Sequence, residues 1–194
     1  MMPSMFSANE LVCERGERLL FRNLGFELGR GEALLVGGGN GRGKTSLLRI
    51  LCGLSAPAAG TVRWRGEPIG RTGIKDDLSP MENLRIAAAL NGRALDVAAA
   101  TAALERIGLS RCMDLPARVL SFGQRRRVAL AGLMTAGALL WILDEPLTGL
   151  DVEGVALVER MIRDHVMAGG LAIMTTHQPM SLDGLTPQTL SVGT

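Results

Sequence analysis

Between Gly38 and Thr45 the chain reads Gly-Gly-Asn-Gly-Arg-Gly-Lys-Thr, a run with little side-chain bulk that ends in an ammonium and a hydroxyl. Such a run lets successive backbone N–H groups turn inward around an anion, and it fits the spacing G-x-x-x-x-G-K-[ST] of a phosphate-binding loop. In that pattern Lys44 reaches the terminal phosphates of ATP and the Thr45 hydroxyl ligates Mg2+. Gly38, Gly39, Asn40, Gly41, Arg42, Gly43 and Ser46 complete the predicted phosphate-binding set. Lys44 and Lys75 are the only lysines in a chain that otherwise uses arginine. A compact ammonium fits inside a tight loop where a planar guanidinium does not. Farther along, Asp144 and Glu145 follow an apolar run. Two adjacent acids there can divide the work, Asp144 holding Mg2+ and Glu145 facing the attacking water as general base.

These residues need elements to hold them. Leu34-Leu35-Val36 predicts a short strand before the glycine-rich loop, and Lys44 to Leu51 has helical spacing of apolar residues after it. Leu139 to Leu143 reads as a central parallel strand buried on both faces, which aims the two acids into a crevice at its carboxyl end. A helical stretch from Val152 to Ala168, stopped by Gly169-Gly170, leads to a third apolar run from Leu171 to Thr176, with His177 at its end. Alternating strands and helices predict an α/β fold with a parallel sheet. From Ser79 to about Arg118 no strand-like run occurs, and Ser79 and Glu82 have capping-box spacing. We read that stretch as an inserted helical subdomain within a single domain over 1–194. The core covers about 1–75 and 135–194, and the subdomain about 76–134.

Composition narrows the partners. A net charge of +2 spread along the chain gives no basic field for nucleic acid, and 3% aromatic residues with no Tyr leave little for a base-stacking platform. Cys13, Cys52 and Cys112 are odd in number and far apart, as expected of buried thiols in a reducing compartment. Met1 to Glu10 shows no secretory signal, and the apolar stretch Val128–Leu143 falls short of the ~20 residues a spanning helix needs. The chain is expected in the cytosol, with any membrane spans supplied by another chain. His165 is read as a solvated helix residue.

Leu120-Ser121-Phe122-Gly123-Gln124 resembles the L-S-G-G-Q signature of ABC ATPases, with Phe122 where the family has a small residue. The resemblance implies a P-loop NTPase core of the ABC ATPase type. It also implies a head-to-tail dimer, in which Ser121, Gly123 and Gln124 face a nucleotide on the second copy. Leu147 to Asp151 resembles the family's D-loop at that interface, and His177 its switch histidine, a catalytic partner of Glu145 at the γ-phosphate. Arg15 lies near the place where relatives put an aromatic residue against adenine, and its guanidinium can stack there instead.

Leu11 to Arg15, Gly73 to Leu78, Gln124 to Ala131 and Thr175 to Gln178 further resemble the ATP-binding subunit of the bacterial cytochrome c maturation, or haem exporter, complex. That implies an ATPase energising a membrane-spanning permease, peripheral at the cytoplasmic face of the inner membrane. No C-x-x-C-H is present and the two histidines lie apart, so haem is left to partner subunits. Only Ile69 to Thr72 joins Pro68 to Gly73, where relatives have a longer segment with a strand and a glutamine loop. Two rival readings follow: an ATP-binding regulatory module with impaired hydrolysis, and a soluble ABC ATPase outside transport.

Overall fold

A computed structural model describes residues 4–64, 79–82, 84–85 and 95–193. The segment around Ile69 to Thr72, and the motif Gly73 to Leu78, lie outside the described residues. The chain divides into two compact units. One comprises Met1–Gly70, Leu139–Thr148 and Val152–Thr194, and the other Arg71–Ala138 with Gly149–Asp151.

The first unit holds two sheets. β1 (Phe6–Arg15) pairs antiparallel with β2 (Arg18–Leu28) and with β4 (Ala59–Trp64), giving the order β2-β1-β4. β3 (Ala33–Gly37), β5 (Leu140–Leu143), β6 (Leu171–Thr175) and β7 (Gln188–Ser191) form a parallel sheet in the order β5-β6-β3-β7. Between them one core gathers Phe6, Leu11, Phe21, Leu28 and Leu34 with Leu47, Leu51 and Ile173. Helix α1 (Lys44–Leu51) sets Leu47, Leu48, Ile50 and Leu51 into that core, which fixes the direction in which its first turn faces. The antiparallel sheet is legible in β1 only by alternation: Phe6, Ala8, Leu11 and Cys13 are buried, with a register shift after Ala8 that breaks strict period two.

Two expectations need correction. Among the described strands Leu139–Leu143 does not hold the central place expected of it: β5 stands at the sheet edge beside β6. Its apolar residues answer to packing above and below the sheet. Leu140 and Ile142 lie against the main core, while Trp141 is buried on the opposite side. Nor is His165 a solvated residue. It lies in helix α4 (Val152–Met167), its ring is stacked flat on Trp141 with centroids 4.0 Å apart, and its Nε2 lies 3.2 Å from the Leu171 carbonyl oxygen. Gly170 has no Cβ at a point where one would run into that ring. A helix surface position becomes an inner one because β5 and β6 bring Trp141 and Leu171 to it.

The second unit carries α2 (Val97–Arg106) and α3 (Phe122–Ala136), joined through a short 3-10 turn at Ala117–Val119. Asp96 caps α2 by accepting from the Ala99 amide at 2.7 Å. The expected capping box at Ser79 is present: the Ser79 amide donates to Glu82 Oε2 at 2.8 Å and the Glu82 amide to Ser79 Oγ at 3.2 Å. The Ser79 amide, with a smaller contribution from the Ser79 side chain, favours the charged form and holds the Glu82 carboxyl below its usual value.

Burial pushes His165 below its ordinary value of 6.5, ahead of the opposing effect of its backbone contacts. The unfolded chain therefore takes up a proton on this side chain before the folded one does, so stability is full above about pH 6.5 and declines as pH falls below it. In urea unfolding followed from pH 8 to pH 5.5, His165→Gln should be less stable than the wild type at pH 8. The gap should narrow toward pH 5.5; a gap independent of pH removes His165 from this role.

Candidate functional site

The loop after β3 begins at a position where only glycine fits. Gly38 has φ 132, and a Cβ there would press into the Val192 carbonyl. Helix α1 follows directly, with Gly43 at its N-cap, no side-chain cap and no acid in its first turn. Its amide dipoles therefore converge on the loop. Lys44 is only 7% exposed and donates to the loop's own carbonyls, Gly38 O at 2.7 Å and Gly39 O at 3.1 Å. Among the described residues no carboxylate forms an ion pair with it. An ammonium buried in this way leaves a positive field at the loop that an anion satisfies.

Two strands deliver the acids. Leu143 pairs with Met174 in the parallel register, so Asp144 and Thr175 follow side by side. Thr175 is fully buried and donates to Asp144 Oδ1 at 2.6 Å, while its oxygen accepts the Glu145 amide at 2.8 Å. The other Asp144 oxygen accepts from Thr45 Oγ1 at 2.9 Å. Two hard oxygen donors, Thr45 and Asp144, thus meet at the start of α1, a fitting pair for Mg2+.

Glu145 takes a left-handed backbone, φ 48, a conformation that costs a residue with a Cβ about 1 kcal/mol. The Thr175 hydroxyl on its amide and the Thr148 amide on its carbonyl oxygen, 3.2 Å away, hold it there. The result turns the carboxylate away from the strand axis toward His177, whose Nε2 lies 3.0 Å from Glu145 Oε1, while Thr148 Oγ1 donates to Oε2 at 3.1 Å. Both side chains remain partly exposed.

A cavity of about 380 Å³ joins these parts: Asn40, Gly41, Gly43, Lys44, Thr45 and Ser46 line it with Glu145, and Arg15, Arg18 and Leu20 complete its wall. Gly39 and Arg42 sit on the exposed outer turn of the loop. Of the other residues singled out in the sequence, Asp144 is bonded to Thr45 and His177 to Glu145, both of which line the cavity. Ser121, Gly123, Gln124 and Asp151 belong to the second unit. There Ser121 caps α3 in a full capping box with Gln124, whose amide donates to Ser121 Oγ at 3.2 Å and whose Oε1 accepts the Ser121 amide at 2.8 Å. Gly123 faces Gly149 and Leu150, and Asp151 lies 3.7 Å from Arg127 Nη2. The exposed Phe122 ring covers Gly149 and lies under the Arg126 guanidinium, 5.8 Å from it. Thr175 and Thr148 entered the sequence reading only within segments that resemble the family, with no role of their own, and Arg18 did not enter it. Thr175 had a signal in being one of two hydroxyls at the end of an apolar run.

Residues 21–148 match the family described as ABC transporter. The chain belongs to the ABC transporter family. Membership carries nucleotide binding and ATP hydrolysis. This ABC transporter chain is 49% identical over 197 positions to the cytochrome c biogenesis ATP-binding export protein CcmA of Nitrosomonas europaea, covering 94% of this chain and 92% of that one. The protein of the same name from Aromatoleum aromaticum is 50% identical over 90% of this chain and 89% of its own. In fold it is similar to a Pyrococcus furiosus protein assigned as an ABC transporter ATP-binding protein (TM-score 0.82, 21% identity, 96% of each chain). It is also similar to the ADP conformation of an ATP-binding cassette of an ABC transporter (TM-score 0.75, 18% identity, 92% and 83% covered). Since 94% of 194 residues is about 182, some fifteen of the 197 aligned positions have no residue in this chain. Among the described residues no helix is long and apolar enough to cross a membrane.

Thr175→Val keeps the shape but strands the Glu145 amide and one Asp144 oxygen. It should lower unfolding stability by about 1–3 kcal/mol, while Thr175→Ser stays near wild type. Equal unfolding midpoints in urea for the Val and Ser variants would show that packing, not hydrogen bonding, is what Thr175 supplies.

Proposed function

We propose that this chain is the ATP-hydrolysing subunit of an export complex serving cytochrome c biogenesis, with haem or its carrier handled by other subunits. The single observation behind the catalytic part is that Glu145 lines the same cavity as Lys44 and Thr45 while being bonded to His177. Gly38 to Ser46 cradle the phosphates of ATP, and Lys44 draws the terminal ones in. Glu145 takes a proton from water as its oxygen attacks the γ-phosphorus. The bond from that phosphorus to the bridging oxygen breaks, and ADP and phosphate leave. His177 orients Glu145 through its 3.0 Å contact and, in this reading, contacts the γ-phosphate. Thr45 and Asp144 would hold Mg2+, which supplies charge neutralisation on the phosphate oxygens when bound. Arg15 stacks on the base.

The names of the relatives support the export role, and the Ser121 to Gln124 helix start supports a paired arrangement. In that arrangement Ser121, Gly123, Gln124 and Asp151 complete the site of a second copy. The Ser121 hydroxyl hydrogen and the Gln124 side-chain Nε2 remain as donors once the capping box is formed. The complex then includes a membrane-spanning permease, this chain lying at the cytoplasmic face of the inner membrane, with no nucleic acid involved. A second reading, ATP binding with impaired hydrolysis, is favoured by one observation: the shortfall of some fifteen positions against the relatives. Turnover measured with and without the permease separates the two.

Glu145→Gln should keep ATP affinity within about twofold and lower turnover by about 10²–10⁴-fold, the usual worth of a general base. Single-turnover hydrolysis with radiolabelled ATP reads it. Turnover unchanged in the variant takes the base role away from Glu145.

A further inference from the structure

On the wall of the cavity facing the phosphate loop stand two guanidiniums, one of which no role above employs. Arg15 ends β1 and Arg18 begins β2, register partners across Gly16-Glu17 at the tip of one hairpin. Both are exposed, and neither has a hydrogen bond or ion pair among the described residues. The loop residues and Glu145 surround the phosphate end of the cavity, which leaves Arg15, Arg18 and Leu20 as the wall available to a sugar and base. Among the described residues no aromatic ring lines it.

We propose that, with Arg15 stacked on the face of the base, Arg18 reads its edge, and that together they make this site take guanosine triphosphate at least as readily as ATP. The inference rests on the nucleotide reading above. A guanidinium has five N–H donors and no acceptor. Guanine presents two neighbouring acceptors, O6 and N7, that match its fork, whereas adenine places the N6 amino donor beside N7, so that donor meets donor. Stacking of a guanidinium on a purine face does not distinguish the two bases. Hydrogen bonding therefore decides, and it favours the 6-oxo purine. An aromatic residue in the same place would have no such preference. Inosine triphosphate shares O6 and N7 with guanosine and lacks only the 2-amino group, so it belongs with GTP.

The test is calorimetric titration of the full chain with the magnesium salts of ATP, GTP and ITP and with inorganic tripolyphosphate. Wild type should give a ratio of Kd for GTP to Kd for ATP at or below about one, with ITP following GTP. In R15A/R18A that ratio should rise by about threefold or more, and in R15K/R18K, which keeps both charges but loses the forks, it should rise as well. A ratio cancels any general loss of charge or stability, since both nucleotides feel it equally. ATP bound more tightly than GTP by wild type, or a ratio unmoved in both double variants, overturns the proposal while leaving the phosphate site intact. Failure of tripolyphosphate and all three nucleotides to bind folded wild type overturns the underlying nucleotide reading instead.

Discussion

A buried ammonium that, among the described residues, is held by main-chain carbonyls alone is the constraint around which the rest is arranged. Lys44 lies inside the loop it helps to form, bonded to Gly38 and Gly39. Burial without a carboxylate is unfavourable for a cation, and the uncapped start of α1 adds to the same positive field. The contrast with the other unit is informative: α2 and α3 each cap a first-turn amide with Asp96 and Ser121, whereas α1 has no side-chain cap.

That arrangement demands a rigid base, and the two sheets of the first unit provide it. Leu47, Leu48, Ile50 and Leu51 seat α1 in the core, and the carbonyl of Val192 closes against Gly38. The acids are tied in by Thr175, whose one hydroxyl serves both Asp144 and the amide of Glu145. Through Asp144 that tie extends to Thr45 on α1. The left-handed backbone at Glu145 is the strain this network sustains, and it aims the carboxylate at His177.

Much of this was legible in the residues. The loop was readable because glycine spacing before a Lys-Thr pair has few other uses, and Asp144-Glu145 because charged residues ending an apolar run must sit at a strand end. Packing that joins distant segments was not. The stacking of His165 on Trp141 depends on β5 and β6 being neighbours, and periodicity along α4 alone places His165 near the helix end with no hint of a ring beneath it. The edge position of β5 was hidden for a related reason: an apolar run reports burial above and below a sheet and says nothing of the strands on either side. Thr175 required the β5–β6 register, and the hairpin that pairs Arg15 with Arg18 required β1 and β2, whose alternation is broken by register shifts.

The most direct measurement is the thermal unfolding midpoint of the wild type and of Lys44→Ala, each with and without magnesium-ATP. If the ammonium and its loop form the phosphate site, the nucleotide at a hundredfold its Kd stabilises the wild type by about 2.7 kcal/mol and leaves the variant's midpoint unmoved. An equal upward shift in both proteins would contradict the account, because the nucleotide would then be held somewhere that does not involve Lys44.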